Sequence, residues 1–354
     1  MQITHAEVTP VELRLRQPVR MATSAEIAKI TAIFIRAETL DGRNAWGCTV
    51  AHPILSGENP EETLRACQAG ATLLPDLHPT NIEYSLSKLS TEVAGSNAAL
   101  CAFDLIFHDL LSLAADMPLY RILGGYRDRI QTSVTVPISN VQESVQLARD
   151  KAKLGFRKLK IKGGLNPEED VRRVQAIHRA LPNITLRLDA DGGYTVEQAL
   201  DVARVLGDKL EMLEQPTPAH DLGALGQATK HSPVPVLADQ SLAGPSSALE
   251  LASHRFADGL SIKLASCGGL RCARQIDAIA RAANLSTMVG CLIEPALLIA
   301  AGLSFALSSP NVSYADLDGH LDLLNDPSLP GFRLEDGWLI SSDVPGLGYT
   351  VNLN

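Results

Sequence analysis

No long basic tract and no interleaving of aromatic with basic side chains occurs in the 354 residues, and acidic residues outnumber Lys and Arg by 40 to 31. A surface that neutralises nucleic-acid phosphates or anionic lipid is therefore not expected. Nowhere do 18 apolar residues run uninterrupted, and the opening MQITHAEVTPVELRLR carries charges where a secretory leader needs an apolar stretch. These absences lead to the expectation of a cytoplasmic globular protein whose partner is a small molecule, with no nucleic acid and no membrane. Cysteine is present but unpatterned. Cys48, Cys67, Cys101, Cys267, Cys272 and Cys291 stand in apolar or small-residue surroundings without a CxxC pair, and read as reduced packing residues.

What is present suffices for a large core, since 45% of the residues are hydrophobic. In ITAIFIRAETLDGRNAWGCTVA two alternating apolar runs meet at Asp41-Gly42, a hairpin signal. Helical spacing follows in NPEETLRACQAGATLL and SNAALCAFDLIFHDLLSLAADMPLYRILGG, with Asn59 and Ser96 as candidate caps. From about residue 130 short apolar strands alternate with amphipathic helices. The runs end at Val136, Lys162, Asp191, Gln215, Gln240, Leu264, Gly290 and Asp318. Eight such units predict an α/β fold: a modified (β/α)8 TIM-type barrel with a discontinuous α+β capping domain. The division expected is residues 1–125 for the cap, 126–322 for the barrel, and 323–354 for a segment that returns to the cap. Within that segment FRLEDGWLI reads as a second hairpin, turning at Asp336-Gly337.

Residues at the carboxyl ends of barrel strands line the site of such a fold. Asp189, Glu214 and Asp239 stand at three consecutive ends, 25 and 25 residues apart. Each alone could be a helix cap or a turn residue. Together they converge, and converging carboxylates need a cation. An all-oxygen, anionic donor set suits Mg²⁺, one per subunit, with Mn²⁺ the alternative, whereas zinc would want histidine or thiolate. The preceding strand, RKLKIKGG, turns Lys158, Lys160 and Lys162 to one face, either a solvated stripe or lysines aimed into the site. The strand after the acids carries Lys263. Lysines flanking a metal on both sides can remove a proton from one face of a carbon acid and return one to the other. For that chemistry Lys160 and the metal are expected to lower the pKa of Lys162.

Taken in order, LKIKGG, RLDADGG, LEQP, PVLADQS and SIKLASCGGL resemble the enolase superfamily, and its muconate-lactonizing subgroup in particular. The resemblance spans nearly the whole chain. It implies metal-assisted chemistry on an enolic intermediate, closed homo-oligomers, and Lys162 and Lys263 as the opposed acid and base, with Lys160 tuning Lys162 and meeting the substrate carboxylate. Asp316 and Asp318 in DLDG resemble the paired acids with which dipeptide epimerases hold the substrate's α-ammonium. Further substrate contacts implied are Thr135, Leu292 and Ile293, with Ser24 and Ile54 in a lid formed by residues 18–29 and 52–58. Arg20 and Glu26 in that lid could read a charged side chain, although Ser24, Ile54 and Leu55 suggest a small or apolar one. Two positions depart from the family pattern: Gln240 and Asp191 stand where Glu and Asn are more usual.

The expected activity is therefore inversion of the C-terminal residue of a dipeptide, Ala-X with X apolar or small. Alternatives within the same site are o-succinylbenzoate synthase, N-acylamino acid racemase and muconate cycloisomerase. A Schiff-base aldolase using Lys162, or a barrel without catalysis, would be a different class.

Overall fold

The computed structural model describes every residue except Met21, Thr23–Ala25, Ala94 and Asn354. Strands β1 (Ile3–Arg20), β2 (Glu26–Thr39) and β3 (Asn44–Ala51) form an antiparallel sheet in that order. Gly42 takes the positive φ of 83° that the Asp41-Gly42 turn requires. The β1–β2 ladder continues out to Val19↔Ile27 and Arg20↔Glu26. Residues 18–20 and 26–29 of the expected lid thus belong to the paired strands of a long hairpin; Ser24 lies outside the described residues.

Helices α1 (Pro60–Ala71) and α3 (Asn97–Ala114) pack on this sheet, and α2 (Ile82–Glu92) packs against those two helices. Both expected caps are present: Asn59 accepts from the amides of Glu61 and Glu62, and Ser96 from that of Ala99. Helix α3 ends earlier than its apolar run, because Asp116 turns left-handed (φ 53°) and Pro118 follows. A short helix, α4 (Leu119–Ile122), carries the remainder.

After an outer strand, β4 (Arg129–Gln131), come eight parallel strands in sequence order: β5 (Val134–Val136), β6 (Lys158–Lys162), β7 (Thr185–Asp189), β8 (Leu210–Glu214), β9 (Val236–Ala238), β10 (Gly259–Ile262), β11 (Ser286–Val289) and β12 (Val312–Ala315). A parallel bridge from Thr132 to Ala315, with the Ser133 amide donating to the Ala315 carbonyl at 3.1 Å, joins the last strand to the segment entering the first. The fold is the expected TIM-type barrel with an N-terminal cap. Its strands stop short of Asp239, Lys263, Asp316 and Asp318, which lie on the segments just beyond them.

Alternation sets the layers. Leu159, Ile161, Leu186 and Leu188 face outward and pack against α5 (Val141–Lys153), α6 (Pro167–Ala180) and α7 (Val196–Leu206), while the lysines of β6 face inward. Met212, Leu237 and Met288 fill the barrel's interior, with Tyr314 against them. The hairpin Arg333–Glu335/Trp338–Ile340 adds to the edge of β4, whereas Gly346–Tyr349 reaches α3 and β3.

Candidate active site

Strand pairing assembles the acids. Lys162 is level with Asp189, and Asp189 with Glu214, so one inward level of the barrel carries a lysine followed by two acids. A ligand oxygen from each of Asp189, Glu214 and Asp239 lies within 4.8 Å of the others, and all three residues are buried. Neither Glu214 oxygen has a hydrogen-bond partner among the described residues. Burial, and after it the Asp189 charge, pushes the Glu214 carboxyl up to about 8. A wholly buried carboxylate with nothing to accept from is costly, and a hard divalent cation bound by all three acids would remove that cost. The donor set fits such an ion.

The loops after β6 and β7 touch backbone to backbone. A Cβ on Gly164 would stand 2.1 Å from the Ala190 carbonyl oxygen, and one on Gly193 would stand 2.1 Å from that of Gly164. This close approach seats Lys162 Nζ 2.8 Å from Asp189 Oδ2 and 2.8 and 3.0 Å from the two oxygens of Asp191. Arg173, itself buried, donates to the backbone carbonyls of Lys162 and Pro137 and ties the ends of β6 and β5 together. Lys263 donates to Asp239 at 2.6 Å. Lys160 donates to Asp316 and lies 3.3 Å from Asp189 Oδ2 and 3.8 Å from Glu214 Oε2.

These pairings set the lysine charges in the metal-free site. Burial alone would depress all three ammoniums, but Asp316 beside Lys160, Asp189 and Asp191 beside Lys162, and Asp239 beside Lys263 outweigh it and hold each pKa up. Repulsion from Lys160 is the smaller effect at Lys162. A lysine becomes a base here only when its carboxylate partners are drawn elsewhere.

One cleft takes in Lys160, Lys162 and Lys263 together with Thr135, Ile54, Leu292, Ile293, Asp316 and Asp318. Ile54 sits at the rim and is 42% exposed. Arg20 and Glu26 face each other in the hairpin and neither lines the cleft. The two acids of DLDG differ in their bonding. Asp316 accepts from Ser133 Oγ at 2.6 Å and from Lys160, while Asp318 takes the Thr135 amide at 2.7 Å and keeps Oδ1 near Cys291 Sγ, at 3.7 Å. Gly319 permits this, since a Cβ there would fall 2.0 Å from the Leu292 carbonyl oxygen.

Several residues in the cleft or behind it went unforeseen. Leu15 of β1 and the exposed Asp322 line the mouth, beside Val19 of the expected lid. Buried Gln215 accepts from the amides of Asp239 and Ser241 and so fixes the third acid's loop. Asp191 and Gln215 each hold a positive φ, 45° and 35°, directly beyond two acidic strand ends. The inward alternation of β7 could have revealed Arg187; no sequence signal marks Ser133.

The family model described as "Enolase C-terminal domain-like" matches residues 143–354. The chain belongs to the enolase superfamily. An L-Lys-D/L-Arg epimerase of Desulforapulum autotrophicum is 35% identical to it, over 98% of this chain and 99% of that protein. Among solved structures, the dipeptide epimerase of Enterococcus faecalis in complex with Mg and L-Leu-L-Tyr matches with a TM-score of 0.95 and 32% identity, covering 99% of this chain and 100% of that one. A substrate-liganded L-Ala-D/L-Glu epimerase of Bacillus subtilis matches with a TM-score of 0.96 and 29% identity, over the full length of both chains. Within the superfamily these relatives share the isomerase class, and their barrel and cap are those described above.

Proposed function

We propose that this superfamily member is a dipeptide epimerase that inverts the α-carbon of the C-terminal residue. The observation that carries this reading is the placement of Lys162 and Lys263 at the carboxyl ends of β6 and β10, four staves apart in an eight-stave barrel, with the acidic cluster between them. A carbon held over that cluster presents opposite faces to the two amines. One lysine accepts the α-proton and the other, as ammonium, delivers a proton to the far face. Mg²⁺ held by Asp189, Glu214 and Asp239 would supply the positive charge that stabilises the enediolate form of the substrate carboxylate. Lys160, paired with Asp316 at the border of the cluster, binds that carboxylate from the other side. Asp318 and Asp316 receive the α-ammonium of the first residue, and the backbone beside Leu292 and Ile293 orients the peptide. The relatives' activities on dipeptides support the same assignment for this chain.

For the side chain at the inverted carbon we favour an apolar group, because Leu15, Val19, Ile54 and Leu55 line the mouth and the expected charge readers, Arg20 and Glu26, do not. The exposed carboxylate of Asp322 favours a second reading, a cationic side chain, in keeping with the activity of the Lys/Arg relative. A dipeptide library in D₂O with Mg²⁺, followed by mass spectrometry, tests both. Deuterium at the α-carbon of the second residue is expected, fastest for Ala-Leu and similar pairs. Exchange confined to Lys or Arg dipeptides would favour the second reading, and exchange with N-acylamino acids alone would overturn the dipeptide assignment.

A further inference from the structure

Beneath the acids the barrel interior holds a line of polar groups that the proposed chemistry does not use. Arg187 lies on the inward face of β7, two residues before Asp189, and is completely buried. Its Nε donates to Glu211 Oε2 at 2.6 Å, and Glu211 also receives Lys158 Nζ at 2.8 Å. Its Nη1 donates to Ser133 Oγ and to the Ala315 carbonyl, both at 3.0 Å. Ser133 Oγ in turn donates to Asp316 Oδ1 at 2.6 Å, and Lys160 takes the other oxygen of that carboxylate.

Met212, Leu237 and Met288 occupy neighbouring interior positions and show that apolar residues fill this space. A buried guanidinium is a costly alternative, and Nη2 of Arg187 has no partner among the described residues. Its geometry, however, joins β7 to the seam where the barrel closes, since Ser133 and Ala315 belong to the segments that meet there. That seam carries Asp316.

We propose that Arg187 is a positioning residue: through Ser133 it fixes the Asp316 carboxylate, and with it the site that receives the substrate's α-ammonium. The inference rests on the dipeptide reading. Two donors, Ser133 and Lys160, set the plane of the Asp316 carboxylate, and Arg187 sets the direction in which the Ser133 hydroxyl donates. Without Arg187 or the hydroxyl, the carboxylate can rotate and the ammonium loses an aligned acceptor. The rest of the substrate keeps its contacts.

The test compares a dipeptide with its analogue lacking the amine, for example L-Ala-L-Leu with N-propionyl-L-leucine, in the Mg²⁺-loaded enzyme. The quantity read is the ratio of the analogue's inhibition constant to the dipeptide's KM. Charge-assisted hydrogen bonds give the wild type a ratio of about tenfold or more. Ser133→Ala and Arg187→Met are expected to lower that ratio at least ~10-fold, as Asp316→Asn should, while the analogue's own constant moves less than ~3-fold. A merely structural role would weaken both ligands alike and leave the ratio unchanged, which would overturn the inference. If Arg187→Met does not fold, Ser133→Ala carries the test, as it removes a single oxygen. A wild-type ratio near one would overturn the dipeptide reading and the inference with it; a high wild-type ratio unchanged in the variants would overturn the inference alone.

Discussion

The side-chain amide of Gln240 donates to Asp191 Oδ1 at 3.1 Å, across the carboxyl ends of β9 and β7. These are the two positions at which the chain departs from the family pattern, and they touch. The departures therefore form one feature, a hydrogen bond whose carboxylate has moved from the β9 side to the β7 side, where it also holds Lys162. Asp191→Asn takes that carboxylate from Lys162 and faces one amide with another; Gln240→Glu sets two carboxylates against each other. Each single change is expected to cost about tenfold in kcat/KM, and the exchange Asp191→Asn with Gln240→Glu to recover most of it, a coupling of roughly 2–3 kcal/mol. Steady-state kinetics on the four proteins decides. Additive losses would show that the contact is idle.

The glycines of this chain are replaceable only where nothing presses on them. Gly164 has φ 97° and its missing Cβ would lie 2.1 Å from a backbone oxygen, two residues beyond Lys162. Gly42 has φ 83° and nothing within 4 Å. Gly42→Ala should cost only the backbone strain, about 1 kcal/mol, with kcat unaltered. Gly164→Ala must also part the β6 and β7 loops, so a loss of roughly 100-fold in kcat is expected from misplacing Lys162. Equal behaviour of the two variants would mean that loop contact does not set the lysine.

The sequence disclosed those parts of the molecule that repeat. Eight apolar runs at regular spacing gave the barrel, and alternation within LKIKGG placed Lys160 and Lys162 inward with the acids. Contacts between chemically neutral positions distant in sequence stayed hidden. Ser133 meets Asp316 only because the barrel closes there, and nothing in the local sequence differs from an ordinary strand entry. Asp336-Gly337 marked a hairpin but not its partner, which is β4. The carboxylates that hold up the lysine pKa without a metal stayed hidden for a related reason: the repulsion of Lys160 could be seen within one strand, whereas Asp191 approaches Lys162 from another.

The carboxy-terminal tail is held by a buried acid, and this makes its docking depend on pH. Asp109 of α3 accepts the Leu347 amide at 2.8 Å and the Tyr349 hydroxyl at 2.6 Å. Burial raises its carboxyl from the usual 3.8 to about 6, the two hydrogen bonds only partly opposing it. A group whose pKa is raised on folding stabilises the fold fully below its unfolded value, and that contribution is lost as pH rises through the folded value. The window is thus about pH 4 to 6, and the contribution on the order of 3 kcal/mol. Asp109→Asn does not titrate. Urea unfolding at pH 4.5 and 7 should show the wild type gaining on this variant as the pH falls; a difference independent of pH would remove the burial argument.

Glu214 offers the most direct measure of what the acidic cluster is for. Both of its oxygens are buried without hydrogen-bond partners and burial disfavours its charged form, so in the absence of a divalent ion Glu214→Gln replaces that carboxyl by a neutral group of the same shape. That variant should be at least as stable as the wild type after treatment with a chelator. Mg²⁺ reverses the order, because an ion present at a hundred times its Kd stabilises the wild type by about 2.7 kcal/mol and the variant, short of one anionic ligand, by far less. Thermal unfolding with and without Mg²⁺ reads both halves of the prediction, and α-deuterium exchange should disappear in the variant at every Mg²⁺ concentration. If Mg²⁺ raised the Tm of both proteins equally, the ion would be binding elsewhere, and the three acids would need an explanation that does not involve a metal.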